Sequence, residues 1–281
     1  MKHMNKEKVY LLLIFIFVFS IRLICISNPP LDMSSWRQVD TDSIARNFLR
    51  LRFNIFYPQL NYDGPPPNYV QLEFQVTTFI ISLLYRTFGI SPILGRAVPI
   101  AFFTASCWFL YRLVRIYSGT GTAAAATLLY GIFPINVVYS RNIMPDSALM
   151  CFTIGAMYYF ARYDICGGIG YYILSAVFTA LAVLTKPPAA LIGVPMIYIA
   201  VRKKGRGVFR DWKLMLFPLV TLGVPYIYFM LQGRAAEQKF VEGIGGSLIL
   251  PNFLKAVFRH DSLAYLFRQF GSVTVTVPGL I

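Results

Sequence analysis

The sequence predicts an all-α polytopic membrane protein, and three observations predict it. Hydrophobic residues make up 57% of the 281 and charged residues only 14%, whereas an ordinary soluble domain is about a quarter charged. Mean hydropathy is +0.58. Several apolar runs approach the roughly 20 residues that cross a bilayer core. A soluble protein of buried helices would need far more polar surface than this chain supplies.

The elements follow in order. A basic start, Lys2, Lys6 and Lys8, precedes an apolar run over 9–27. That run is long for a signal peptide and no A-x-A cleavage pattern follows it, so it is expected as an uncleaved first helix with a cytoplasmic N-terminus. Further apolar segments occupy 75–89, 97–117, 122–139, 147–163, 171–185, 189–201 and 214–231. Charge decides how many of them cross. Arg202-Lys203-Lys204-Gly205-Arg206, with Arg210 and Lys213, is the strongest cytoplasmic signal. Working back, Lys186 falls outside, Arg162 inside, Arg141 outside, and Arg112 with Arg115 inside. The segment at 97 must therefore start outside, where the first helix has already delivered the chain.

Segment 75–89 then cannot cross and is expected as an interfacial or re-entrant helix. The prediction is seven transmembrane helices over 1–231 in the cell membrane, with a long outer loop at 28–95 carrying juxtamembrane helices. Residues 232–281, with Phe253, Val257, Leu263, Leu266 and Phe270 spaced amphipathically, are expected to form an outer-face loop or tail. The net charge of +14 does not call for nucleic acid, because Lys and Arg sit mainly at helix ends, where orientation and anionic lipid account for them. Cys25, Cys107, Cys151 and Cys166 have no metal-ligand spacing, and the first three read as small hydrophobes in apolar runs. No metal or cofactor is expected.

The outer loop carries Trp36-Arg37-Gln38-Val39-Asp40-Thr41-Asp42 and a Gly64-Pro65-Pro66-Pro67 turn. Ionisable groups at a membrane face are costly and are functional candidates for that reason. Ile44, Phe48, Leu51 and Ile55 recur at helical spacing, with Asp42, Arg46, Asn47 and Arg50 elsewhere on the wheel. This pattern predicts an amphipathic helix on the membrane, starting near Asp40. The prolines make a stiff connector.

Asp40 has two compatible readings, a helix N-cap and a partly desolvated general base. Glu73 reads as a first-turn acid favoured by a helix dipole or as a chemical group. Arg141 and Asp146 flank Met144-Pro145; Pro145 should open a helix with Asp146 in its first turn, and Arg141 reads as an anion ligand or as a partner of Asp40 or Asp146. Lys186 either snorkels to the interface or meets a lipid phosphate. Arg22, in the outer half of the first helix, needs a partner that the sequence does not name. His260, Asp261 and Arg268 lack diagnostic spacing. No P-loop, dinucleotide fingerprint, Ser-His-Asp order or zinc motif is present.

With these residues in place, the chain resembles the GT-C glycosyltransferases of the dolichyl-phosphate-mannose protein mannosyltransferase and lipid A aminoarabinose transferase group. The likeness runs over about residues 9–190 and lies in the order of short motifs. These are Asp40 with Ala45-Arg46-Asn47-Phe48, Tyr69-Val70-Gln71-Leu72-Glu73-Phe74, Leu83-Leu84-Tyr85-Arg86-Thr87-Phe88-Gly89, Gly95-Arg96, Ser140-Arg141 with Pro145-Asp146, and Leu184-Thr185-Lys186-Pro187. The resemblance implies transfer of a sugar, with inversion, from a polyprenyl-phosphate donor to a glycan, lipid or protein acceptor at the outer face. It implies Asp40 as general base and Asp42, Glu73, Arg141, Asp146 and Lys186 as substrate-binding residues. The acidic pair reads Asp40-Thr41-Asp42 where the group usually has Asp-Glu, and members are typically much longer, so the chain is expected to be either truncated or a minimal member. The competing readings are a transporter or lipid-binding protein and an assembly subunit without catalysis.

Overall fold

A computed structural model describes residues 6–32, 34–61, 66–236 and 238–242. The tail expectation, with His260, Asp261 and Arg268, lies almost entirely outside the described residues, as does part of the proline turn. In chain order the helices are α1 (Lys6–Ile21), α2 (Ser35–Arg50), α3 (Val76–Phe88), α4 (Pro92–Ile132), α5 (Pro134–Tyr139), α6 (Asp146–Cys166), α7 (Ile169–Thr185), α8 (Gly193–Lys204), α9 (Trp212–Ala235) and the short α10 (Phe240–Glu242). Two short strands, β1 (Val70–Gln71) and β2 (Gln238–Lys239), pair in parallel. The chain divides into two compact units, one of 1–24, 99–131 and 145–228, the other of 25–98, 132–144 and 229–281.

In the first unit, α4 is not one straight rod. Gly119 has φ 81°, a left-handed conformation that glycine adopts without steric cost. The Phe103 and Tyr130 rings stack at 4.9 Å, although an unbroken helix would hold them about 40 Å apart. The chain therefore doubles back at Gly119, and the two arms correspond to the two apolar segments read at 97–117 and 122–139. Val18 of α1, Phe103 and Cys107 form one buried cluster there. Arg22 closes it. Fully buried, its guanidinium donates to the carbonyls of Val18 and Gly131, the latter at 2.8 Å, and lies 3.9 Å over the Phe103 ring. The first helix consequently ends at Ile21, earlier than the apolar run suggests, and Cys25 is exposed in the turn beyond it.

Helices α6 and α7 form an antiparallel hairpin around Gly167, which has φ 70°. Gly155 lets the Phe178 ring approach the α6 backbone, and Ser175 Oγ donates to the Ala156 carbonyl at 3.0 Å. The hairpin has two chemically distinct ends. At one, Lys186 Nζ lies 2.6 Å from Asp146 Oδ1. At the other, Arg162 donates to the Tyr171 hydroxyl at 3.2 Å and Lys203 pairs with Asp164 at 3.4 Å. A helix of 21 residues separates those ends by about 30 Å, the thickness of a bilayer core. Large apolar side chains stay exposed along the unit, among them Leu13 and Ile16 on α1, Ile173 and Val177 on α7, and Val194 and Ile197 on α8. Water does not tolerate a surface of that extent; lipid does.

Two helices among the described residues are long and apolar enough to cross a membrane, α4 and α9, while α3 and α7 are shorter and apolar. By length and composition this is fewer than the seven spans expected.

The second unit centres on α2 and α3, around a core of Ile44, Phe48, Leu60, Val70 and Leu72. Strand β1 pairs with β2 in the register Val70 with Gln238 and Gln71 with Lys239. Three sequence expectations are corrected here. Helix α2 starts at Ser35, so Asp40 lies inside it and is not an N-cap. The periodicity begins too late in the sequence because the first buried positions, Gln38, Thr41 and Asp42, are polar and carry no hydrophobic signal. For the same reason Asp42 and Asn47 are buried rather than outward, while Leu51 is exposed and Ile55 lies beyond the helix. Glu73 precedes α3, whose first residue is Val76, so it is not a first-turn acid.

Candidate active site

On α2 the buried positions Gln38, Thr41, Asp42, Ala45 and Phe48 recur three or four residues apart and so share one face. The opposite face is partly apolar, with Trp36 and Val39 exposed, which inverts the usual pattern of a helix on a soluble protein. Three charge assemblies form around that buried face.

The first holds Asp42, whose side chain is 7% exposed. Tyr85 of α3 donates its hydroxyl to Asp42 Oδ1 at 2.6 Å. Arg46, one turn along α2, meets Oδ2 at 2.6 and 2.8 Å. Burial, with the hydrogen bond to Asp42 adding to it, pushes the Tyr85 phenol up, so it remains a donor. Gly95 makes this possible, because a Cβ there would sit 2.7 Å from the Tyr85 hydroxyl and from Ile143 Cδ1.

The second assembly surrounds Arg96, which is fully buried. It donates to Asp32 Oδ2 at 3.1 Å and to the Pro29 and Arg141 carbonyls at 3.2 Å each. Gln38 donates to the other Asp32 oxygen at 2.6 Å and accepts from the Ile143 N–H at 3.1 Å. Burial works to raise the Asp32 carboxyl, but the hydrogen bonds from Arg96 and Gln38 and the Arg96 charge outweigh it and hold the group below the usual range.

In the third assembly Arg37 pairs with Glu73. Asp40 lies three residues from Arg37, half-buried; its carbonyl accepts from Ser43 Oγ at 3.0 Å, while its carboxylate has no hydrogen-bond or ion-pair partner among the described residues. Burial raises its carboxyl above the ordinary value, against an opposing pull from the Arg37 charge. Each of its neighbours in this layer is tied to another group, and Asp40 alone keeps its lone pairs for something else.

Of the residues read from sequence, Asp40, Asp42, Glu73 and Arg141 belong to this unit. Arg141 is half-buried and its main chain holds Arg96. In the other unit Asp146 does stand first in α6, with Pro145 before it, and its partner is Lys186. Lys186 thus has a carboxylate to meet, and its side chain stays 42% exposed. Sequence reasoning passed over Asp32, Tyr85 and the roles of Gln38 and Arg96. Arg96 did leave a signal: like Arg22, it is a cation set against apolar sequence and had to find acceptors.

A family model described as dolichyl-phosphate-mannose-protein mannosyltransferase matches residues 75–234. Among solved structures, the S. cerevisiae protein O-mannosyltransferase Pmt1-Pmt2 complex bound to the sugar donor is similar, with a TM-score of 0.59 and 16% identity over 84% of this chain. This chain covers 34% of that one, about a third of its length. No curated protein matches by sequence.

Proposed function

This chain belongs to the dolichyl-phosphate-mannose-protein mannosyltransferase family, and on that footing we propose that it is an integral membrane glycosyltransferase. It moves a sugar from a polyprenyl-phosphate donor to a hydroxyl acceptor at the extracytoplasmic face of the cell membrane, with inversion. The observation that carries this reading is the half-buried Asp40 carboxylate, unpartnered among the described residues, beside Asp32, Asp42 and Glu73, which are each engaged. As the acceptor oxygen attacks the anomeric carbon, Asp40 takes its proton, and the bond from that carbon to the phosphate oxygen breaks. The lipid phosphate leaves with an added negative charge, which Arg141, in the same unit as Asp40, stabilises. The burial that raises Asp40 also makes it a better base.

Asp42 enters this reading as a positioned group rather than a substrate contact, since both its oxygens are occupied. The donor arrives dissolved in the bilayer, which suits a sequence with no P-loop or dinucleotide fingerprint. In this reading the chain crosses seven times, with Lys186 and Arg141 outside and Arg202, Lys203 and Lys204 inside. An impermeant thiol reagent on intact cells should label a single cysteine at Asn142 and spare one at Gly205; the reverse pattern overturns the topology. For the activity, the purified protein is given a polyprenyl phosphate carrying a labelled sugar, with native membranes as the acceptor source. A covalent sugar adduct is expected. Donor binding without any product supports a lipid-binding or assembly protein instead.

A further inference from the structure

Arg37 and Asp40 stand three residues apart on α2, a spacing at which side chains on a helix meet. Left to themselves they would form an ion pair. They do not, because Arg37 reaches across to Glu73 in the segment before α3. Glu73 is held for that purpose: Gln75 Nε2 donates to the Glu73 carbonyl at 2.6 Å, and Thr78 donates to Gln75 Oε1 at 2.6 Å. The pair is largely buried, its side chains 23% and 13% exposed, so neither charge is free to drift into water without cost.

We propose that Glu73 is a positioning residue that holds Arg37 away from Asp40 and so keeps the Asp40 carboxylate open to the acceptor. This rests on the reading of Asp40 as the base and reassigns Glu73 from the substrate contact that the family resemblance implies. The groups around Asp40 bear this out. Arg37 is the one charge acting on it among the described residues. Asp42, two residues along α2, is occupied by Arg46 and Tyr85, and the Tyr85 hydroxyl from α3 goes to Asp42. Without Glu73 the half-buried guanidinium can turn to Asp40, three residues along the same helix. The resulting pair would occupy the lone pairs of the base and weaken it.

A hydrophobic carbodiimide reacts with protonated carboxyl groups, so the pH dependence of its attachment to Asp40, read by peptide mass spectrometry, reports that group's titration without any turnover. In full-length protein, Glu73→Gln should move the labelling midpoint down by roughly one pH unit, the size of effect an adjacent arginine has on a carboxylate. Arg37→Gln should move it up. In the Arg37→Gln background, adding Glu73→Gln should move nothing, because the group through which Glu73 acts is gone. An unmoved midpoint in Glu73→Gln, or a shift that persists in the double variant, overturns the proposal. Transfer activity of Glu73→Gln should fall several-fold and recover in the double variant. Failure of the base reading shows separately: full transfer by Asp40→Asn would remove Asp40 from the reaction while leaving the labelling result intact.

Discussion

Two regions of this protein hold ionic groups, and they hold them differently. Where α8 runs into the loop before α9, Lys204 pairs with Asp211 at the surface, the lysine side chain 38% exposed. In the α2–α3 layer, Arg96 and Asp42 are almost wholly buried and every hydrogen bond goes to a specific partner. Exposed pairs of the first kind are screened and contribute little; their positive excess serves orientation in the membrane. Buried assemblies of the second kind are costly to break and define geometry. A carboxylate left over in the second region is therefore informative, whereas one in the first would not be.

That contrast can be broken in order of expected effect. Arg96→Met should be the most damaging, because it strands two carbonyls and half of Asp32. A loss of about 3 kcal/mol or more, read as a lower thermal midpoint in detergent, is expected. Gly95→Ala comes next. The new methyl forces the Tyr85 hydroxyl off Asp42 or displaces Ile143, at a cost of about 1–3 kcal/mol. Acid should act through Asp32. Its folded carboxyl is held below its unfolded value, so its contribution is present above about pH 4 and is lost as pH falls through the lower, folded value. The thermal midpoint should drop over that range, and less steeply in Asp32→Asn. The smallest effect belongs to the exposed region, where Lys204→Ala should change stability by less than about 1 kcal/mol. A large loss there would erase the distinction.

The helices were legible because apolar runs mark them, and the boundaries near 76–88 and 212–235 differ little from the reading. Helix α2 was legible only in part. Its buried face opens with Gln38, Thr41 and Asp42, so a search for apolar periodicity sees a loop where the helix has already begun. The chemistry of the layer was visible as residue types but not as partners. Nothing local links Asp42 to Tyr85, 43 positions later, or Arg96 to Asp32 across 64. Such pairings are decided by tertiary packing, and the sequence records them only as charges that must find company.

The most direct test compares Asp40→Asn with Asp42→Asn in one transfer assay, each alongside its thermal midpoint. Asp40 is raised by burial, so its ionised form works against folding at neutral pH; that cost declines as pH falls through its folded value and is gone only below the lower, unfolded one. Asp40→Asn should thus be at least as stable as the parent and lose transfer by roughly 10²- to 10⁴-fold, the usual weight of a general base. Asp42→Asn should instead lower the midpoint and, below that temperature, keep a measurable fraction of the rate. Full transfer by Asp40→Asn, or its unfolding alongside Asp42→Asn, would contradict the assignment of Asp40 as the free base of this layer.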